Sequence, residues 1–326
     1  MMETKKKLEG KNVLDWLKKH LAESSVLFAL IIMCIVWSII SPYFLTVGNF
    51  RSIFIYIGAT GIMAAGLTCT LLTGSMDLSQ MPLMAFSGMM IGIANNWYGI
   101  HGIWLVLIGI IAGACGGLLN AFTVTILGIV PFIATLGSQL VFRALAFIST
   151  DGVYLSVNDD LVRAMTKKNF LGMPIMFWIM MAVFILFWFI LKYTQYGRNL
   201  YSVGGSQQTA YLSGINVRKT RFIAYVISGA CCGLAAFMFV AQGNTALNNA
   251  GTGSEMDIMS GVIVGGISLG GGMGSVINTL LGIALLGVIT NGMGLVGLTP
   301  YYQMLVKGLI LVGAVLLDMV RTKGKR

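Results

Sequence analysis

The chain has 326 residues and a net charge of +10, yet only 10% of its residues are charged while 57% are hydrophobic. Ordinary soluble domains carry roughly a quarter charged residues, so a soluble fold is excluded. Nucleic-acid binding is also set aside, because the basic residues sit in short segments beside long apolar runs, the pattern of cytoplasmic loops in membrane proteins. Cys34, Cys69, Cys115, Cys231 and Cys232 all fall within apolar runs, and His20 and His101 stand apart, so neither a metal centre nor a histidine-based catalytic group is expected.

Residues 1–24 form a polar cytoplasmic segment with no cleavable signal pattern. Asn12 can cap a short helix that carries Val13, Trp16, Leu17 and Leu21 on one face and Asp15, Lys18 and Lys19 on the other. Either an interfacial helix or a solvated basic tail fits this pattern. A bilayer core takes roughly 20 apolar residues to cross as helix. Spans are expected at about 25–40, 53–72, 81–94, 103–126, 131–149, 175–192, 222–241, 256–269, 275–296 and 303–320. The fold class is thus an all-α polytopic membrane protein with about ten transmembrane helices. Residues 25–320 make one transmembrane domain and 321–326 a basic cytoplasmic tail. The third and eighth spans are short and read as tilted or broken helices.

Lysine and arginine set the orientation. They crowd the N-terminal segment, the 192–221 loop and the C-terminus, which places all three, with both termini, in the cytoplasm. The 150–174 loop mixes Asp151, Asp159 and Asp160 with Arg163, Lys167 and Lys168 and reads as external. Gly109, Gly113, Gly116 and Gly117 form one face for close helix packing, and Gly261, Gly265 and Gly266 another. The run Gly270 to Gly274, broken only by Met273, is too glycine-dense for helix and reads as a turn. TGSMDLS from Thr73 resembles TGSEMDIMS from Thr252, and Gly128, Pro131, Phe132 and Leu136 match Gly297, Pro300, Tyr301 and Leu305 in spacing. The copies lie on spans of opposite direction, as in two five-helix halves with inverted topology.

A charge inside a span is costly and marks function or a buried partner. Asp77, Arg143, Glu255, Asp257, Lys307 and Asp318 qualify. Asp77 either contacts a polar solute or caps the third span. Acids are few and lie near span ends, which argues against an ion-driven carrier, and no nucleotide-binding motif is present. A transporter of this kind needs an external motor. The 192–221 loop can receive one: a short helix near Ser206 to Leu212 lies between Gly204, Gly205 and Gly214, although an ordinary solvated loop fits as well.

With TGSMDLS, VPFIATLGSQLVFRALAF, YGRNLYSVGGSQQTAYLSGINVRKTR, AGTGSEMDIMSGVIVGGISLGGGMGS and TPYYQMLVKG in order over residues 73–308, the chain resembles permeases of the ribose-type ABC sugar importers, the branch that includes ribose, xylose, galactose and autoinducer-2 permeases. The resemblance implies a bacterial inner-membrane permease that pairs with a second protomer, the same or a close relative. Two cytoplasmic ABC ATPase subunits bind below and an extracytoplasmic solute-binding protein docks above. ATP and magnesium belong to the ATPase, and this chain carries no cofactor of its own. The family's coupling helix maps onto the 207–214 stretch, giving Gly205, Gln207, Ala210, Leu212, Ser213 and Gly214 as coupling candidates. The family motif Gly-Gly-Ile-Asp-Leu-Ser-Val-Gly-Ser appears here as Gly74-Ser75-Met76-Asp77-Leu78-Ser79, followed by Gln80, Met81 and Pro82 instead of the usual glycine-bearing sequel.

The expected function is import of a sugar or similar small polar solute, with a stand-alone secondary transporter as the alternative. Asp77, Ser79, Phe132, Thr135 and Asn291 are the candidates for the solute pathway. Asp151, Asp159, Lys167, Glu255 and Asp257 are the candidates for docking the binding protein.

Overall fold

A computed structural model describes residues 25–323, apart from the side chains of residues 317, 318 and 320–323. The helix expected around Asn12, the side chain of Asp318 and residues 324–326 lie outside the described set. The first half contains α1 (Ser25–Ile40), α2 (Val47–Leu72), α3 (Gln80–Tyr98), α4 (Ile103–Thr125) and α5 (Pro131–Ile148). The 150–174 stretch folds into β1 (Leu155–Ser156), α6 (Asp160–Lys167), β2 (Asn169–Phe170) and β3 (Met173–Pro174). Then come α7 (Ile175–Tyr193), α8 (Gln195–Gly205), α9 (Gln207–Leu212), α10 (Val217–Gly243), β4 (Thr245–Ala246), α11 (Asp257–Val264), α12 (Val276–Leu295) and α13 (Pro300–Lys323).

Among the described residues, six helices are long and apolar enough to cross a membrane: α2, α4, α5, α7, α10 and α12. The other expected spans take other forms. α1 has 16 residues, α3 has 19 and α13 has 24. The span expected at 256–269 is corrected to α11, only 8 residues long. The physical reason lies in its flanks. Asn244, Gly251 and Gly253 hold positive φ before it, and Gly266, Gly271, Gly272 and Gly274 do so after it. Each such residue takes the backbone out of the right-handed helix. The turn expected at 270–274 is present.

The core is organised around α2, whose apolar window is 89% buried, against 28% for α5 and for α7. Its closest support is α10, which runs antiparallel to α4 along a seam of small residues. A side chain at Gly113 would strike the backbone of Gly229 and Gly233, and one at Gly117 would strike Tyr225 and Gly229. Backbones meet at that distance only where both helices lack Cβ atoms. Gly109, Gly113 and Gly117 thus form the expected face, while Gly116 turns toward Leu83 and Phe142. Gly261 and Gly265 pack on α12, whereas Gly266, expected on the same face, sits in a turn at φ +89°.

The two ends of the bundle differ. At one end β1 pairs antiparallel with β4, Leu155 opposite Ala246, and β2 with β3 across a turn in which Leu171 and Gly172 both have positive φ. Two positive-φ residues suit the twist of a tight hairpin. At the other end lie α8, α9, the 73–79 stretch and the 265–275 turns. Gly128 (φ +72°) and Gly297 (φ +74°) each precede a proline-started helix, α5 and α13. Proline suits a first helical turn because its missing N–H has no partner there anyway.

Candidate transport and coupling sites

The short helix α9 is built by its own caps. Ser206 is extended, ends α8, and its Oγ accepts from Thr209 N at 3.2 Å. Such a cap satisfies one of the free N–H groups of the first turn. Gly214 (φ +80°) closes the other end, donating its N–H to Tyr211 O while Ile215 N donates to Ala210 O. Of the expected coupling residues only Ala210 is buried; Gly205, Gln207, Leu212, Ser213 and Gly214 are exposed. The helix thereby presents Tyr211 at 73% and Leu212 at 78% exposure, two large apolar groups on a short ledge.

Behind that ledge, Gly204 packs so closely that a side chain there would fall on Leu72 O and Gly272 N. Gly272 N donates to Leu72 O at 2.9 Å, and Tyr201 Oη to Gly274 O at 3.1 Å. The C-terminal end of α8, just before α9, is therefore in backbone contact with the C-terminus of α2 and with the glycine turn before α12. Gly204 was read from sequence only as a flanking break. Its packing role has no local signal.

The 73–79 stretch is held by α10. Arg221 Nε donates to Ser75 Oγ at 3.0 Å, Tyr225 Oη to Met76 O at 3.1 Å, and Ser228 Oγ to Asp77 Oδ2 at 3.2 Å. Consecutive residues of the stretch thus meet residues one helical turn apart on α10. Asp77 also accepts from Ser79 N at 3.1 Å and Ser79 Oγ at 2.7 Å, and Asn120 Nδ2 donates to Ser79 Oγ at 2.7 Å. Gln80 Nε2 donates to Ser228 Oγ at 2.8 Å. Gln80 stands where the family pattern continues toward its glycine, and here it joins the same network. Among the described residues no cation forms an ion pair with Asp77. Arg221, Tyr225 and Ser228 were not singled out from sequence as a face, though their spacing of four and three is a legible signal.

Asp77 and Ser79 are buried, with Ser79 at 0% exposure. Thr135 is also buried and its hydroxyl donates to Pro131 O at 2.9 Å. Phe132 is exposed on α5, and Asn291 is half-buried with no partner for Oδ1. Asp77 and Ser79 are joined to each other, but no hydrogen bond among the described residues joins them to Phe132, Thr135 or Asn291.

The 248–257 stretch is clamped from two sides. Arg143 of α5 donates through Nη1 to Asn248 O at 3.1 Å and Ala250 O at 2.8 Å, and its Nη2 lies 3.6 Å from Glu255 Oε1. Lys307 of α13 donates to Asp257 Oδ2, with both side chains largely buried. Glu255 and Asp257, expected to dock a partner, are each paired within the chain. Of the other docking candidates, Asp151 and Lys167 are exposed. Asp159 is buried at 5% exposure and N-caps α6, accepting from Leu161 N at 2.8 Å and Val162 N at 3.1 Å. It also accepts from Gly102 N at 2.8 Å and lies 3.3 Å from His101 Nδ1. Burial pushes its carboxyl up, but the Gly102, Val162 and Leu161 N–H groups and His101 outweigh burial and hold it below the usual value.

The family described as "Branched-chain amino acid transport system / permease component" matches residues 49–315. The chain is 37% identical over 308 residues to the ribose import permease protein RbsC of Escherichia coli K12, covering 92% of this chain and 95% of the relative. It is 31% identical over 302 residues to the L-arabinose transport system permease protein AraH of the same strain, covering 92% and 91%. It is 29% identical over 317 residues to the probable ABC transporter permease protein YphD, also of that strain, covering 97% and 95%. No solved structure matches the chain.

Proposed function

We propose that this chain, which belongs to the branched-chain amino acid transport system / permease component family, moves a sugar or similar small polar solute into the cell. It is a multi-pass membrane permease subunit of an ABC importer and not an enzyme. That relationship decides against the stand-alone secondary carrier.

In this reading residues 25–320 work as one domain, and the α8–α9 end faces the cytoplasm together with both termini. ATPase subunits, which carry the ATP and magnesium, seat on α9, and a solute-binding protein docks at the β1–β4 end, where Asp151 and Lys167 are exposed. A second protomer covers the poorly buried faces of α5 and α13, placing Phe132 beside the solute path. Two five-helix halves of opposite direction account for the paired Gly128 and Gly297 turns and for the TGS motifs at both breaks. Motion of α9 would reach the 73–79 stretch through Gly204 and through the Arg221, Tyr225 and Ser228 contacts.

The observation that carries the coupling assignment is the exposed Tyr211–Leu212 ledge on a capped helix that directly follows the backbone-to-backbone packing of Gly204 in α8. Gly205 offers a clean test, because a Cβ there meets nothing within 4 Å. Gly205→Trp should leave the permease folded but abolish co-purification of the ATPase and ATP-dependent uptake in vesicles holding the full complex. Normal uptake and assembly in that variant would overturn the coupling assignment. The permease alone should accumulate no solute under any ion gradient.

A further inference from the structure

A cavity of about 360 Å³ lies between α2, α3, the end of α10 and the 247–254 stretch, and none of the residues assigned above to the solute path lines it. That volume is within the roughly 300–1,000 Å³ typical of small-molecule sites. Its polar lining residues are Tyr56, Thr60, Gln242, Asn249, Thr252 and Ser254. Its apolar lining includes Met81, Met84 and Phe239. Among the described residues no charged side chain lines it. The Asp257–Lys307 ion pair lies across Tyr56 and Thr60, which also border the small void beside that pair. The two charges compensate each other there. Asn249 and Thr252 are exposed and form the mouth, while Thr60 and Met84 are buried at the floor.

We propose that this cavity is a subsite for one neutral polyhydroxylated solute of monosaccharide size, held transiently within the protomer during import. The proposal rests on the import reading. The chemistry of the lining selects the ligand class. An anionic or cationic solute would lose hydration to a wall that offers no counter-charge. A sugar has hydroxyls for the amides and hydroxyls, and C–H faces for the thioethers and the Phe239 ring. The wall is also preformed. Arg143 fixes the Asn248 and Ala250 carbonyls, so the 247–252 backbone is positioned before any solute arrives. A fixed wall lowers the ordering cost of binding. Arg143 is thereby a positioning residue for the cavity.

The test uses the complete complex in vesicles, with D-ribose, L-arabinose and D-xylose as probes. Ala59 lines the cavity at 1% exposure, so Ala59→Phe fills it. This variant should raise KM at least about tenfold for each sugar the complex transports, with a much smaller fall in kcat. Independently, Thr252→Cys places a thiol at the mouth, and the native chain supplies the background for labelling by a polar maleimide. A transported sugar at about ten times its Kd should slow labelling about tenfold. Unchanged labelling in the presence of a sugar that the complex transports, or an unchanged KM in a folded Ala59→Phe complex, overturns the subsite and leaves the import reading intact. A complex that transports no neutral sugar overturns both.

Discussion

The breaks at 73–79 and 248–257 both contain Thr-Gly-Ser followed by an aspartate, and Gly74 and Gly253 both adopt positive φ, at +71° and +79°. Their acids are nonetheless satisfied in opposite ways. Asp77 takes hydrogen bonds from Ser79 and Ser228, neutral groups on its own loop and on the central helix α10. Asp257 takes a lysine from α13, and its neighbour Glu255 faces an arginine from α5, both on helices with largely exposed outer faces. A carboxylate deep in a packed seam can be met by hydroxyls that already lie within reach. A stretch that borders a cavity has fewer neighbours, and long cationic side chains from the periphery supply the missing partners. The difference teaches that a repeated motif fixes where an acid stands, while the surrounding helices fix what meets it.

Breaking the charged side should produce the largest effect. Lys307→Met leaves Asp257 buried without its cation and should destabilise the protein by about 3–5 kcal/mol. Adding Asp257→Asn to it should recover most of that loss, because the uncompensated charge is gone. Thermal unfolding in detergent, read as a double-mutant cycle, measures both. On the neutral side, Ser228→Ala removes one donor to Asp77 and the acceptor for Gln80, and should cost about 1–3 kcal/mol. If Ser228→Ala proves more damaging than Lys307→Met, the contrast between the breaks is wrong.

The smallest effect sharpens the comparison with a third acid, outside the spans. Asp159 is also met by neutral backbone donors, and its carboxyl lies below the usual value. Its contribution is complete above the unfolded carboxylate value of about 3.9 and is lost as pH falls through its lower folded value. The protection of the Leu161 and Val162 amides from hydrogen exchange, taken relative to the intrinsic amide rate at each pH, should therefore stay constant from about pH 7 to about pH 5 and fall only below about pH 4. Asp159→Asn should flatten that acid limb.

Several features were legible in the residues themselves. Long apolar runs place most helices within a few residues, because the bilayer demands internal backbone hydrogen bonding along each span. The glycines at 109, 113 and 117 announced a close helix contact, and Ser206 and Gly214 announced the limits of a short helix. The length of α11 was misjudged, since the composition of 256–269 is apolar and its glycines also fit a helix-packing face. Only the positive φ values on both sides show the breaks.

By itself, then, the sequence determined the membrane class and the positions of the main helices, and it marked Ser206 and Gly214 as the limits of a short helix at α9. Those depend on patterns a few residues long. The pairing of Arg143 with Glu255 and of Lys307 with Asp257, the α10 contacts to Ser75, Met76 and Asp77, and the cavity beneath Asn249 were decided only in three dimensions. Each joins groups far apart along the chain. Which distant group arrives within hydrogen-bond reach depends on how closely the glycine seams let the helices approach, and no local periodicity encodes that distance.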